Sequence, residues 1–246
     1  MAQPDPVPTQ RSAHSFLELA QLARELAPGL RDALSEAWSL AARFEHASIA
    51  SFNKFSLELL AVGAPGELVA SANRAALQEV EHAQACFAAA SAYAGRGIGP
   101  GPLPIGVLCM QAVQLEELVR ATVAEGCVGE ALAAAEALAA RERAAVPVIV
   151  SLLGKIAEEE QEHAALAFRF VRWACGVGGP SVRGAAREAF ERSIAACRSE
   201  LPLVAASSEV SAALEAHGRL CEPARTELRQ RAVSELIEPA YQELLK

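Results

Sequence analysis

Aspartate occurs only at Asp5 and Asp32, aromatic residues make up 5% of the chain, and no two cysteines are spaced as CxxC. Each scarcity excludes something. Without CxxC pairs there is no four-cysteine zinc or iron site. The six cysteines (Cys86, Cys109, Cys127, Cys175, Cys197 and Cys221) sit singly among Ala, Val and Leu. They read as small buried apolar side chains, in keeping with a reducing cytoplasm. Few aromatic and β-branched residues leave little material for strands. Basic residues are outnumbered 22 to 30, for a net charge of −8. That surface lacks the basic footprint nucleic acid requires. No stretch reaches the ~18 uninterrupted apolar residues of a membrane span. The start MAQPDPVPTQR lacks a charged segment followed by an apolar run, so no signal peptide is expected. The expectation is a cytoplasmic protein with neither a nucleic-acid nor a membrane partner.

What is present is Ala and Leu, within an apolar content of 52%. Both lose little side-chain freedom in a helix, so the fold class expected is all-α. Breakers then set the organisation. Residues 1–11 form a Pro-rich arm, expected to be disordered or draped on the surface. A short amphipathic helix follows over about Ser12–Ala27. AVGAPG (61–66) separates two long helical patterns, about Arg31–Leu60 and Glu67–Ala94. RERAAVP (141–147) separates a second pair, ending near Ala140 and restarting at Pro147, a residue suited to a first helical turn. GVGGPS (176–181) closes the fourth long helix, and helices near Val182–Glu200 and Pro223–Leu245 complete the chain. The reading is an arm and short helix (1–30), a four-helix bundle (31–175) and a helical extension packed on it (176–246). The Gly/Pro-rich link Gly95–Met110 is long enough to cross the bundle, which makes helices 2 and 3 parallel, with helix 3 starting near Gln111.

Glu-x-x-His occurs twice, as Glu79-Val-Glu-His82 and Glu160-Gln-Glu-His163. Three residues apart on a helix, a carboxylate and an imidazole share a face and can hold one metal. Glu45 precedes Glu79 by 34 residues and Glu125 precedes Glu160 by 35. The midpoints of these pairs fall in AVGAPG and RERAAVP. In antiparallel hairpins such pairs face each other at one height, so four carboxylates and two imidazoles converge. All six lie on apolar stripes, where glutamates are costly unless paired or bound to metal. Four at one level repel strongly without cations between them. Neighbours take plainer roles. Glu159 is a weaker competitor of Glu160 for its place beside His163. Glu81 and Glu162 are solvated or support the ligands, Glu130 faces solvent, and His14, His46 and His217 stand outside the site. Gly126 and Gly129 interrupt a helix beside Glu125, marking either close packing or a pocket or bulge.

One Glu from each of two helices with Glu-x-x-His from each of two others resembles the ligand set of ferritin-like di-iron and di-manganese carboxylate proteins. FEHASIASF and EGCVGEALA also look like segments of bacterial ferritin-like domain proteins. The resemblance covers about residues 31–175. It implies a ferritin-like four-helix bundle with two Fe ions, or two Mn, or mixed Mn/Fe. Glu79 and Glu160 would bridge, Glu45 and Glu125 would be terminal ligands, and His82 and His163 would bind one metal each. It further implies O2 or peroxide as a reactant. The leading activity is an oxidase or oxygenase with a small-molecule substrate and, for an oxygenase, an external electron donor. Ferroxidase or iron handling, and peroxide removal of the rubrerythrin or Mn-catalase kind, are the alternatives. A non-catalytic helical interaction protein is the reading from another class, and a homodimer is the assembly considered. The missing CxxC pairs depart from rubrerythrins, the long extension departs from storage ferritins, and Tyr93 lies three turns from His82, which departs from ribonucleotide reductase small subunits.

Overall fold

A computed structural model describes residues 10–106, 112–199 and 208–246, and every regular element among them is helical. The elements are α1 (Gln10–Ala23), α2 (Pro28–Ala61), α3 (Gly66–Ala94), α4 (Leu115–Ala121), a π-helix π1 (Thr122–Glu130), and α5 (Ala131–Arg143). Then come α6 (Pro147–Ser199), α7 (Ser208–Ala216), α8 (Glu222–Ala232), a π-turn π2 (Val233–Ile237), and α9 (Glu238–Leu244). None of the helices is long and apolar enough to cross a membrane.

Pro28 starts α2 in its first turn, where its missing N–H costs nothing. Gly95 ends α3 in the left-handed conformation, its N–H returning to the Ser91 carbonyl. α2 and α3 pack as one hairpin, and the run α4–π1–α5 packs on α6 as a second. Two cores lie at opposite ends. Leu59, Leu68, Leu118 and Phe170 meet at one end; Trp38, Tyr93, Ala140 and Ile149 meet at the other. α3 and the α4–π1–α5 run therefore point the same way, the parallel arrangement that the length of the link allows. Ser91 anchors its start by bonding the Ile98 N–H and carbonyl.

Several boundaries differ from expectation. The helix after the link begins at Leu115 rather than near Gln111, which lies with Met110 outside the described residues. Most of the Pro-rich arm also lies outside them, although residues 10 and 11 belong to α1. GVGGPS closes the fourth helix as expected, but without a loop: Gly179 (φ 66°) leaves helical geometry and Pro180 starts the next run at once, so α6 is two helical runs meeting at a kink. Beyond the bend Val182, Ala186, Phe190 and Ile194 join the core of the bundle's first end. α7, α8, π2 and α9 follow, with Val233 and Ile237 buried in the same core. α7 carries no clear sequence signal. The five described cysteines are free.

Candidate metal centre

Midway between the two cores, the apolar stripes of α2, α3, π1 and α6 carry acid and imidazole instead of hydrocarbon. Glu79, His82, Glu160 and His163 are each at most 3% exposed. Two groups of side chains bring their oxygen and nitrogen atoms within 4.8 Å of one another: Glu45, Glu79, His82 and Glu160, and Glu79, Glu130, Glu160 and His163. Either group could hold a metal ion. They share Glu79 and Glu160, each group has its own imidazole, and the two imidazole rings lie 6.1 Å apart.

Five of the six side chains expected at the centre are thus brought together, and Glu125 is not among them. It is exposed on π1 and lines a neighbouring cavity. Glu130, expected to face solvent, occupies the corresponding place. Two physical reasons account for the exchange. First, α5 ends at Arg143 and α6 starts at Pro147, so the turn centres on Ala145 and not at 142–143. Counted from Ala145, the residue at the height of Glu160 is Glu130. Second, five residues in an α-helix turn the chain about 140° away. In a π-helix the hydrogen bonds run i to i+5 and each residue turns through a smaller angle, so Glu130 comes round to the centre while Glu125 stays exposed at the cavity beside it. Gly126 and Gly129 lie within this segment. A methyl on Gly126 would come within 2.5 Å of the Ala167 Cβ, so the glycine lets π1 press against α6.

The hydrogen bonding of the imidazoles orients the centre. His82 turns Nδ1 toward Glu45, Glu79 and Glu160 at 3.7–3.8 Å, and its Nε2 lies 2.7 Å from Glu159. His163 turns Nδ1 toward Glu79 and Glu160 at 3.2 and 3.0 Å, and its Nε2 lies 2.9 Å from the Gln78 Oε1. The Gln78 amide donates onward to Glu162. Glu159 and Gln78 present acceptors to the two Nε2 atoms, which leaves each Nδ1 facing carboxylates. Such an arrangement is repulsive unless a proton or a cation lies between. Glu159 and Gln78 were not foreseen as partners of the histidines. Their signal is positional: each directly precedes the Glu of one motif and bonds the His of the other.

The electrostatics say the same. Burial opposes a charge on His82, but Glu45 and Glu79 outweigh it and lift its pKa to about 11. Burial would also raise Glu79, but His163 and His82 bring it down to about 2. Burial, with Glu79 and Glu45 nearby, raises Glu160 to about 8. Burial and the neighbouring Glu160 push Glu130 well above the ordinary carboxylate range, and burial also raises Glu45. Both Glu79 oxygens and the His82 Nδ1 are buried without a hydrogen-bond partner. Unmet buried polar atoms cost about 1–3 kcal/mol each, more when charged. These three atoms belong to side chains of the centre, so the residues fit a bound cation. Four carboxylates with two neutral imidazoles match the charge of two divalent ions.

On the His163 side a cavity of about 370 Å³ opens. Its floor includes Glu125, Glu130 and His163, while its walls include Phe52 and Phe55 from α2, Leu118 from α4 and Leu103 from the crossover. The Phe52 ring lies 4.8 Å from that of His163. Neither His82 nor Glu45 lines it. The other described histidines stand apart: His46 contacts Phe87, and His217 bonds the buried Tyr93 hydroxyl at 2.9 Å in the far core. Glu81 pairs with Lys155. Comparison with protein-family models, curated proteins and solved structures finds no match.

Proposed function

We propose that this chain is a ferritin-like di-iron carboxylate protein that uses O2 to oxidise or oxygenate a small organic substrate. The observation that carries the reading is the pair of overlapping Glu/His groups sharing Glu79 and Glu160, one of them adjoining a cavity. Nitrogen and oxygen donors without thiolate suit iron or manganese. Bound there, two reduced irons would supply the electrons that O2 or peroxide accepts.

The protein's part is to hold and orient. Glu79 and Glu160 lie where both ions would need a common ligand, and Glu45 and Glu130 complete one side each. Glu159 and Gln78 fix the two imidazoles with Nδ1 inward, an outer bond of the kind that sets tautomer and raises ligand basicity. Glu160, raised to about 8 without metal, gives up its proton as ions enter. The apolar cavity favours an organic substrate over ferrous ions as the reactant, because iron-handling routes need acidic rather than hydrocarbon walls.

Protein loaded anaerobically with Fe(II) is expected to retain about two irons per chain. Mixing with O2 in a stopped-flow spectrometer should then give one oxidation event per centre, with no turnover of excess Fe(II). Repeated consumption of excess Fe(II) would select the ferroxidase reading, and rapid peroxide decay the scavenging one. Manganese in protein as purified would select two Mn or a mixed pair. Retention of far less than one metal per chain under every loading condition would leave a non-catalytic helical protein.

A further inference from the structure

The cavity beside His163 has its own chemistry, which bears on what the proposed centre acts on. At about 370 Å³ it falls at the small end of ligand pockets, roughly 300–1,000 Å³. Phe52, Phe55, Leu118 and Leu166 make its sides hydrocarbon, and Ala50 and Ala121 are the small residues that leave the space open. Lys54 is the cation among the described lining residues, and it is already paired with Glu58 at 2.7 Å on the next turn of α2. The floor carries the carboxylates of Glu125 and Glu130. An anionic ligand would therefore meet like charge with no free cation to offset it. A cationic one would meet the ions themselves in metal-loaded protein, and a charge of either sign would give up its hydration among hydrocarbon walls, which is costly. Neutral polar contact is available from Ser51 and from Thr122, whose hydroxyl proton is already given to the Leu118 carbonyl at 2.8 Å. Thr122 thus offers an acceptor to a donor on the ligand.

We infer that this cavity is the substrate site and selects a small, uncharged, mainly apolar organic molecule, about one or two rings in size, with at most a weak hydrogen-bond donor. The inference rests on the proposed di-iron reading for the word substrate and for the discrimination against a cation, while the preference for an apolar molecule follows from the hydrocarbon walls of the cavity.

Indole, indole-3-acetate and tryptamine share one ring system in neutral, anionic and cationic forms. Each would be titrated calorimetrically into the full chain, metal-free and iron-loaded. Indole is expected to bind saturably in both states, with the charged analogues weaker by roughly tenfold or more. A50L and A121L fill the space from two walls with a good helix former, so the helices are retained. Each should weaken indole by roughly tenfold or more, with iron content unchanged. Absence of saturable indole binding, equal affinity for either charged analogue, or unaltered affinity in both variants would overturn the inference. Iron content reports separately on the metal reading. Indole binding without iron uptake sinks the di-iron centre and spares the cavity. Iron uptake without indole binding does the reverse.

Discussion

Around His82 the chain is closed, whereas around His163 it is open. His82 projects from a regular helix, α3, toward the equally regular α2, and Glu159 with Lys155 and Glu81 covers it from outside. His163 holds the matching place on α6, yet it faces Phe52, π1 and the cavity. Both belong to Glu-x-x-His, so the motif cannot be the source of the difference. The source is the fourth carboxylate and the helix that carries it. α2 brings in Glu45 without leaving α-geometry. π1 widens its turns to bring in Glu130, and the widened segment leaves Glu125 and Gly126 lining free space beside it. The two halves would hold metal alike, but among the described residues the cavity adjoins the half built on π1.

Replacing a shared carboxylate abolishes both sides at once and has the largest expected effect. E79Q or E160Q should bring iron from about two per chain to near none after anaerobic loading, read by metal analysis. Unchanged iron in either would remove the bridging role assigned to that residue. Single-sided variants come next. E45Q and E130Q should each leave about one iron per chain, whereas E125Q should leave about two. One iron in E125Q with two in E130Q would return the ligand role to Glu125 and make the widened helix incidental.

That last pair marks how far the sequence is legible. The stripes of Ala and Leu and the breakers at 61–66 and 141–147 place four long helices to within a few residues, because hydrophobic periodicity and Pro/Gly stops act locally. Glu79, His82, Glu160 and His163 follow from spacing on those helices. Glu45 follows from its distance to a turn, since α2 is regular throughout. Glu125 fails the same count because RERAAVP contains two stops: the helix persists through Arg143, three residues beyond the expected end. π1 is legible only as an alternative: Gly126 and Gly129 mark either close packing or a pocket or bulge, and the segment has both a π-helix and the close approach of Gly126 to Ala167, a tertiary contact that spacing alone does not specify. The stop at Gly179–Pro180 is legible for the same local reason as the other breakers, since Gly179 leaves helical geometry and Pro180 opens the next run; what stays hidden is that the next run follows with no loop between.

The outer partners of the imidazoles offer a finer cut between the halves. Q78A should weaken the ion on the His163 side by about 10–100-fold, and E159Q the one on the His82 side by a similar factor. Competition with a chelator would measure both. A loss from both sites in either variant would mean that the halves are coupled more tightly than their separate outer bonds suggest.

Protonation separates loaded from metal-free protein. Glu160, at about 8, and His82, at about 11, hold their protons more tightly folded than at their ordinary values of 4.5 and 6.5. The stability each contributes is full below its ordinary value and is lost as pH rises through its folded one. Glu79, at about 2, acts in the opposite sense, and its contribution is lost only as pH falls from 4.5 toward 2. Metal-free protein should therefore soften between pH 5 and pH 8, while bound ions displace those protons and prevent it. The gap in Tm between loaded and metal-free protein is expected to widen over that range. A constant gap would mean that the carboxylates at the centre ionise as freely as in the unfolded chain.

The smallest expected effect probes the opening itself, by treating two glycines of π1 differently. A methyl at Gly126 would approach the Ala167 Cβ to 2.5 Å, while one at Gly129 would lie 3.4 Å from the Ala124 carbonyl oxygen, an ordinary contact. G126A must push π1 off α6 at a cost of about 1–3 kcal/mol. G129A removes a flexible residue from a helical segment and should gain up to about 1 kcal/mol. Urea unfolding of the metal-free variants gives both numbers. Iron binding in G126A then tests the asymmetry: displacement of π1 moves Glu130 but not Glu45, so weakening should fall on one iron and spare the other. Equal weakening of both would show that the closed side depends on π1 as well, and the contrast between the halves would then lie in access alone.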